Sequence, residues 1–257
     1  LHDLFAKSCQ KPLYKLLGGA KPVIETDITI SVNPVEQMVA DSLSAVAEGY
    51  NILKVKVGKE GFADVARMEA IRRAVGPETV LRVDANQGWE AKQAVRIIRA
   101  MEDKGLEIEL VEQPVPAHNL AGMRYITQNV STPVLADESV FSAADAVEII
   151  RAGAADLINI KLMKTGGIHE ALRICAIAES FGVGCMVGCM LESHISVGAA
   201  AHLAAARRVC TMADLDGPSL CAENPYTGGP EYNGPNIVLS NQPGIGVVQV
   251  PGFENKG

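Results

Sequence analysis

Short β-rich runs alternate along the chain with longer segments in which apolar residues recur every three or four positions. The β-rich runs lie at 26–31, 53–57, 80–85, 109–112, 134–137, 157–162, 184–188 and 211–215. The helix-patterned segments between them include 62–75, 90–104, 143–152, 168–181 and 196–206. Because two consecutive parallel strands need a crossover helix, eight such units predict an α/β fold, a (β/α)8 barrel of the TIM type.

The competing architecture is an open, doubly wound sheet, which would carry a glycine-rich phosphate loop after its first strand. The Ser-Val-Asn-Pro sequence at 31–34 is not such a loop. The two ends of the chain do not share the alternation, because the first predicts a short helix and a loop, and the last is rich in Gly, Pro and Asn. We therefore divide the chain into a linker at 1–22, a catalytic barrel at 23–221 and a C-terminal segment at 222–257.

Composition excludes several classes of protein. The 257 residues are 48% hydrophobic, which is enough for a large core, and 30 acidic against 23 basic residues give a net charge of −7. This charge argues against a broad nucleic-acid-binding face, and no apolar run approaches the roughly 20 residues that span a bilayer. The first residues lack a basic region followed by an apolar stretch, so we expect no export signal, and six cysteines without a Cys-x-x-Cys pair indicate reduced thiols. We expect a cytoplasmic protein without nucleic-acid or membrane partners, and a homo-oligomer is compatible with the sequence.

Acidic residues end three consecutive predicted strands, at Asp84, Glu112 and Asp137. The carboxyl ends of parallel strands meet at one rim, and neighbouring strands lie about 4.8 Å apart, so these side chains are expected to converge. Oxygen ligands without His or Cys favour Mg²⁺, with Mn²⁺ as the second choice. Asn86 and Glu138 are expected to surround and orient the three ligands. The alternative is that the acids form structural salt bridges with nearby lysines.

Lysines at strand ends predict acid–base chemistry. Lys54 and Lys56 project from one face of the second strand, and Lys161 ends the sixth, on the opposite side of the barrel mouth. Next to a divalent cation, the two neighbouring ammonium groups are expected to lower each other's pKa. One lysine over each face of a bound carbon suits racemisation or epimerisation, whereas a β-elimination needs only one base. Lys164 is interpreted as solvated or structural.

Zinc chemistry is the weaker alternative. Cys185, Cys189 and His194 lie close together in sequence, but their segment has the pattern of a buried strand followed by a helix, which favours packing. A zinc hydrolase on a barrel would use histidines at strand ends. The five histidines of the chain fall mostly in predicted loops or helices.

Five short motifs in a fixed order resemble those of a known family. They are Lys-Val-Lys at 54–56, Val-Asp-Ala-Asn at 83–86, Val-Glu-Gln-Pro at 111–114, Ala-Asp-Glu-Ser at 136–139, and Ile-Lys-Leu at 160–162 followed by Thr-Gly-Gly at 165–167. With these intervals, the chain resembles the enolase superfamily, and within it the muconate-lactonising subgroup. The segment 12–19 is similar to the one that leads from the family's first domain into its barrel.

The resemblance implies a Mg²⁺-dependent reaction in which Lys56 and Lys161 are the two acid–base catalysts and Lys54 tunes the charge of its neighbour. The Asp-Leu-Asp sequence that contains Asp214 and Asp216 resembles that of dipeptide epimerases, in which these carboxylates hold the free ammonium group of the substrate. The alternative is a turn, because Gly and Pro follow. The implied reaction inverts the α-carbon of the second residue of a dipeptide through an enolate, with L-Ala-L/D-Glu from peptidoglycan turnover as the first expectation.

Two alternatives stay open at this point. The same lysines and carboxylates suit an o-succinylbenzoate synthase or N-succinylamino acid racemase reaction, and a non-catalytic barrel is the alternative from another class. Members of the family carry an N-terminal α+β capping domain that covers the barrel mouth, and the sequence contains no counterpart of it. We therefore expect the chain to be part of a longer enzyme, with residues 222–257 packing against that domain.

Overall fold

The computed structural model describes residues 1–252 and contains a ring of parallel strands surrounded by helices. The strands are β1 (Val23–Glu25), β2 (Ile28–Ile30), β3 (Ile52–Lys56), β4 (Val80–Asp84), β5 (Ile108–Glu112), β6 (Val134–Ala136), β7 (Leu157–Lys161), β8 (Gly184–Gly188), β9 (Cys210–Asp214), β10 (Thr227–Gly228), β11 (Glu231–Asn233), β12 (Asn236–Val238) and β13 (Val247–Gln249). The helices are α1 (His2–Ser8), α2 (Leu13–Leu16), α3 (Val35–Ala47), α4 (Ala63–Val75), α5 (Ala91–Asp103), α6 (Leu120–Thr127), α7 (Ala143–Ala152), α8 (Leu162–Thr165), α9 (Ile168–Phe181) and α10 (His194–Ala206). A 3₁₀ turn spans Gly217–Leu220.

The predicted eight-stranded barrel is confirmed. Strands β2 to β9 lie side by side in chain order and every pair is parallel. Their register aligns the strand ends, because Lys56 is paired with Asp84, and Asp84 in turn with Glu112. Polar residues that are far apart in sequence therefore meet at one level of the barrel.

The ring closes without a regular ladder between its first and last strands. The N–H of Asp27 donates to the carbonyl of Ala213 over 3.3 Å, and the N–H of Thr29 donates to Oδ2 of Asp216 over 2.7 Å. The first predicted strand, at 26–31, is accordingly shorter than expected. The second of these bonds uses a side chain, as does the one from the N–H of Leu215 to the Thr26 hydroxyl over 2.7 Å, so side chains supplement the backbone pairing at this seam.

The two ends of the described chain pack against each other outside the barrel. Strand β1 pairs with β12, which also pairs with β11, so the residues directly after the linker share one antiparallel sheet with the C-terminal segment. Residues 23–25 fall in the predicted barrel range but belong to this sheet, because their partners are supplied by the tail. A bridge between Pro12 and Gly244 adds a second contact between the ends.

Local signals explain where individual helices begin and end. Helix α7 starts with a capping box, since the N–H of Ser142 donates to Oδ2 of Asp145 over 2.8 Å and the N–H of Asp145 donates back to the Ser142 hydroxyl. It ends at Gly153, whose φ of 59° lies in the left-handed region. Within residues 1–252, none of the helices combines the length and the apolar character needed to cross a membrane.

His202 joins the linker to the barrel wall. Its side chain is buried in α10, and its Nδ1 accepts a hydrogen bond from the N–H of Tyr14 over 3.0 Å. Burial lowers the pKa of His202 to about 4. The imidazole therefore stays neutral in the folded protein under conditions in which the unfolded chain binds a proton.

We expect the free energy of unfolding to fall as the pH decreases from about 6.5 to about 4, because only the unfolded state gains a proton at His202 in this window. The contribution approaches about 3 kcal/mol at the acidic end. Urea denaturation at several pH values should show a shallower decline for His202→Asn, which keeps an acceptor near Tyr14. The exposed His118→Asn variant is the control, and equal slopes for wild type and His202→Asn would contradict the assignment.

Candidate active site

An ammonium group lies among three carboxylates at the carboxyl ends of the barrel strands. Nζ of Lys54 is 2.6 Å from Oδ2 of Asp214, 2.8 Å from Oε2 of Glu112 and 3.2 Å from Oδ2 of Asp84. All four side chains are almost completely buried. Strands β3, β4, β5 and β9 each contribute one of them, so the cluster exists only when the ring has formed.

Charges in this cluster shift each other's proton affinities. Burial alone would lower the pKa of Lys54, but the carboxylates of Asp214, Glu112 and Asp84 outweigh burial and raise its pKa well above the ordinary value. The prediction that Lys54 and Lys56 lower each other's pKa concerned the site with a divalent cation bound, and it stays a prediction. Burial, followed by the nearby Asp84 carboxylate, raises the pKa of Glu112 to about 8. The acids therefore exceed the positive charge that Lys54 supplies.

Lys56 lies beside the cluster and reaches the solvent. Its Nζ is 2.6 Å from Oδ2 of Asp84 and donates to Oδ1 of Asn86 over 2.9 Å, and its side chain is 27% exposed. It lines a cavity of about 450 Å³ above strands β2 to β4. The loop after Lys56 needs Gly58, with a φ of 95°, because a Cβ there would lie 2.1 Å from the carbonyl oxygen of Ala85. The loop that follows Lys56 is therefore in close contact with the loop that carries Asn86.

Lys161 and Asp137 form an ion pair on the other side of the mouth. Nζ of Lys161 is 2.7 Å from Oδ2 of Asp137, and Nζ of Lys164 is 2.5 Å from Oδ1 of the same carboxylate. Burial opposes the charged form of Asp137, but Lys164 and Lys161 outweigh it and hold the pKa of this carboxyl below its usual range. Burial lowers the pKa of Lys164, whereas for Lys161 the Asp137 carboxylate outweighs burial and raises the pKa. Lys164 is thus buried and structural, not solvated.

Asp214 and Asp216 lie at the end of β9 and just beyond it. Both are buried, and Asp214 pairs with Lys54 whereas Oδ2 of Asp216 accepts the N–H of Thr29. Burial and the neighbouring Asp214 raise the pKa of Asp216. The turn expected from the following Gly and Pro is present as well, since the N–H of Ser219 donates to the carbonyl of Asp216. The backbone makes the turn while the carboxylates face the barrel, so the two readings of this motif do not exclude each other.

The donor set at the mouth fits a hard divalent cation. Asp84, Glu112 and Asp137 offer only oxygen, and the Asp84 carboxylate adds to burial in raising the pKa of Glu112. Next to them, Oε2 of Glu138 is buried without a hydrogen-bond partner. With the side chains in their present positions, no three His, Cys, Asp or Glu residues within 1–252 lie close enough together to hold a metal ion. At the acids, Lys54 takes the space between Asp84 and Glu112.

The zinc alternative gains no support from the structure. Cys185 and Cys189 are buried in the hydrophobic core, and the ring of His194 packs edge-on against Tyr232 at a centroid distance of 5.2 Å. Packing explains these residues, as the sequence pattern indicated.

Sequence reasoning did not assign a role to Gln113, which holds the loop after β5 against the loop after β6. Its Oε1 accepts the N–H groups of Asp137 and Ser139 over 2.9 and 3.3 Å, and its Nε2 donates to the carbonyl of Val115 and to the Ser139 hydroxyl. Its φ of 36° is unusual for a residue with a side chain. The preceding Glu112 and the distant Asp137 are thereby fixed relative to each other. The feature of the sequence that could have indicated this role is the position of Gln113 directly after Glu112 in the Glu-Gln-Pro motif.

Two buried acidic residues, Asp64 and Asp27, were also assigned no role in the sequence analysis. Asp64, in α4, accepts the N–H of Gly58 over 3.0 Å and Nε1 of Trp89 over 3.1 Å, so it anchors the loops after β3 and β4. Deeper in the barrel, Asp27 pairs with Arg82 over 2.8 Å. Neither acid ends a predicted strand, so the search at strand ends could not find them.

We expect Gln113→Leu to lower the free energy of unfolding by about 3 kcal/mol. The substitution leaves the N–H groups of Asp137 and Ser139, in the loop after β6, without their acceptor. Urea denaturation at pH 7 measures the change. The matched control is Gln37→Leu on the exposed face of α3, where a change below about 0.5 kcal/mol is expected. Equal effects of the two substitutions would show that Gln113 does not secure the loops.

Comparison with known proteins places this geometry in context. Residues 37–250 match the family described as Enolase C-terminal domain-like. An L-Ala-D/L-Glu epimerase from Clostridium acetobutylicum is 57% identical over 247 residues, which cover 96% of this chain and 69% of the relative. The chain thus spans a little more than two thirds of that protein.

Two solved structures are also similar. The substrate-liganded complex of the L-Ala-D/L-Glu epimerase from Bacillus subtilis has a TM-score of 0.95 at 48% identity, over 96% of this chain and 69% of the other. The dipeptide epimerase from Enterococcus faecalis, complexed with Mg and the dipeptide L-Leu-L-Tyr, has a TM-score of 0.93 at 46% identity, over 96% of this chain and 70% of the other.

Proposed function

The chain belongs to the enolase C-terminal domain-like family of the enolase superfamily, and we propose that it is a Mg²⁺-dependent dipeptide epimerase. The reaction inverts the α-carbon of the second residue of the dipeptide. Relatives at 47–57% identity are L-Ala-D/L-Glu or hydrophobic dipeptide epimerases. An Ala-Glu dipeptide is the substrate that we favour.

One observation carries this proposal: amines approach the mouth from opposite sides, with carboxylates between them. Lys56 ends β3 and Lys161 ends β7, four places apart in a ring of eight strands. A planar reacting carbon between them has one amine over each face. This arrangement supports removal of a proton from one face and delivery of another to the opposite face.

In the proposed reaction, Lys56 and Lys161 exchange roles according to the configuration of the substrate. The lysine in its neutral form takes the α-proton, and the other, as an ammonium group, gives a proton to the opposite face. Asp137 favours the ammonium form of Lys161. Lys54 keeps a fixed positive charge among the acids, which suits a positioning role better than proton transfer.

Asp84, Glu112 and Asp137 would hold the metal ion, with Asn86 and Glu138 around them. Bound there, Mg²⁺ supplies positive charge that stabilises the negative charge developing on the substrate as its α-proton leaves. The hydrogen bonds from Lys56 to Asn86, and from Asn86 to Glu138 over 3.3 Å, support this grouping.

Asp214 and Asp216 are the proposed acceptors for the substrate ammonium group. Two buried carboxylates at the end of one strand favour a charged donor. One of them already pairs with Lys54, so Asp216, whose Oδ2 accepts the N–H of Thr29, is the better candidate for the stronger contact.

The mouth of the barrel also supports the proposal that a further domain covers it. Large apolar side chains stand exposed in the segments that follow the barrel strands, at Phe62, Phe141, Met163, Met190, Leu191 and Leu220. Neighbouring exposed apolar groups on one rim favour burial by another structure. We also propose the division of the chain into a linker, a barrel and a C-terminal segment, with β1 assigned to the sheet that it shares with the C-terminal segment.

The cellular setting is a proposal of the same kind. The net charge of −7 and the free cysteines support a cytoplasmic enzyme without nucleic-acid or membrane partners. An Ala-Glu substrate suggests a role in peptidoglycan turnover. A homo-oligomer is compatible with the barrel.

Exchange in D₂O tests the two-base assignment. With wild-type protein, Mg²⁺ and L-Ala-L-Glu, we expect inversion together with uptake of deuterium at the α-carbon, followed by NMR and chiral chromatography. Lys56→Ala and Lys161→Ala should each lose inversion by at least about a thousandfold, in line with the upper range for general acid–base groups. Each variant should still exchange the α-proton of one epimer without inverting it, because the remaining lysine serves one face.

The control for this experiment is Lys104→Ala, which removes an exposed lysine at the end of α5, on the side of the barrel away from the mouth, and should leave both rates unchanged. Retained inversion in either of the two active-site variants would refute the two-base assignment. Loss of exchange from both epimers in both variants would favour a single base.

Asp216→Asn separates dipeptide epimerisation from reactions on N-acylated substrates. Asn keeps an oxygen for the N–H of Thr29, so the seam of the barrel should survive, but it loses the charge that pairs with an ammonium group. We expect kcat/KM for L-Ala-L-Glu to fall roughly a hundredfold, as for a truncated charge-assisted contact. Activity on an N-succinyl amino acid should not fall, and an unchanged dipeptide rate would overturn the ammonium assignment.

A further inference from the structure

A second cavity lies at the end of the barrel opposite the proposed active site. It has a volume of about 740 Å³ and is bounded by the starts of β3 and β9 and by the end of α10. Four basic residues and one acidic residue line it, together with the partly exposed Cys210; the basic ones are Lys21, Arg82, Arg207 and Arg208, and the acidic one is Glu25. The dipeptide reaction uses none of these residues.

Cys210 is within reach of a second thiol. Its Sγ lies 3.7 Å from Sγ of Cys175, which is fully buried in α9. A disulfide needs the sulfur atoms about 2.05 Å apart, so the pair has to close by less than about 2 Å. A third thiol, Cys185, faces Cys210 in the register of β8 and β9 and is also buried. The cavity therefore gives access to one member of a dithiol and protects the other.

The surroundings favour a thiolate at Cys175 and not at Cys210. The hydrogen bond between the two thiols lowers the pKa of Cys175, whereas the same hydrogen bond and burial raise the pKa of Cys210 well above its ordinary value. The charge of Arg207 acts to lower the pKa of both thiols. Arg207 keeps this position through an ion pair with Glu179 over 3.2 Å. Thiolates, not thiols, attack oxidants, so basic groups beside a dithiol promote its oxidation.

We propose that Cys175 and Cys210 form a reversible disulfide on reaction with a hydroperoxide that enters through the basic cavity. The peroxide oxidises one thiol to a sulfenic acid and releases water, or an alcohol from an organic peroxide. The second thiol then displaces the hydroxyl group as a second water while the S–S bond forms. Two thiols lose two protons and two electrons in total, and the peroxide takes up both. A dithiol reductant reverses the reaction by thiol–disulfide exchange.

The bond would tie α9 to the start of β9 across the wall of the barrel. It would close a loop between positions 35 residues apart, which restricts the unfolded chain more than the folded one. The oxidised protein should therefore unfold at a higher urea concentration than the reduced protein.

Peptide mapping tests the proposal directly. Reduced protein is treated with hydrogen peroxide, free thiols are blocked with N-ethylmaleimide, and the chain is cut after acidic residues. Cleavage at Glu179 separates Cys175 from Cys185, and cleavage at Asp214 separates Cys210 from Cys221. We expect one linked pair of peptides, containing Cys175 and Cys210, that weighs two hydrogens less than its parts and disappears with dithiothreitol.

Variants identify the partners. Cys175→Ser and Cys210→Ser should each abolish the linked pair, whereas Cys185→Ser should leave it in place. Oxidation confined to the exposed Cys9 and Cys221 would overturn the proposal. So would oxidation of Cys210 to a sulfinic acid without linkage to Cys175, or a linked pair that contains Cys185 in wild-type protein. Because mapping of the wild type is decisive, a variant that fails to fold does not prevent the test.

Discussion

Buried charges of opposite sign must be balanced where the barrel strands end, and the rest of the site follows from this constraint. Lys54 touches three carboxylates inside a mouth from which water is largely excluded. Removing ions from water costs several kcal/mol per ion, and only close partners and hydrogen bonds offset that cost. Three carboxylates contact this one ammonium group, and burial together with the neighbouring Asp84 raises the pKa of Glu112. A divalent cation is the natural means of completing the balance.

The barrel provides positions for these charges through its closed ring of strands. Parallel pairing aligns the ends of β3, β4 and β5 at one level, and the opposite strand β7 carries the second amine. Around this frame, Gln113 and Asp64 hold the loops by hydrogen bonds to backbone N–H groups. A site built on strands and secured by such buried side chains keeps its geometry without help from substrate. Asp216 connects the frame with the chemistry, because it also closes the seam of the ring.

The two ends of the barrel have different characters. The carboxyl end collects the acids, the amines and a rim of exposed apolar side chains, which suits a small polar substrate beneath a covering domain. The opposite end presents a basic cavity with a thiol pair, and no residue of the proposed mechanism lies there. Chemistry at that end would act on the barrel wall and leave the reacting groups untouched, as is usual for the amino-terminal face of this fold.

Much of this protein could be read from the order of its residues. The alternation of β-rich and helical patterns predicted the eight-stranded parallel ring, and the strand-end positions of Lys56, Asp84, Glu112 and Lys161 predicted one rim for them. The period of the apolar residues and the spacing of the strand-end residues are properties of the sequence itself, so they can be recognised before the fold is known. The sequence pattern could not show which charged side chains pair with one another.

Only the tertiary structure decided which charges touch. It paired Lys54 with Asp214, 160 residues away, and surrounded this lysine with carboxylates that raise its pKa. It buried Lys164, gave β1 to the tail and brought Cys175 beside Cys210. Each outcome depends on distances between distant segments and on the exclusion of water. Such energies vary with separation in space, which the linear order of residues does not contain.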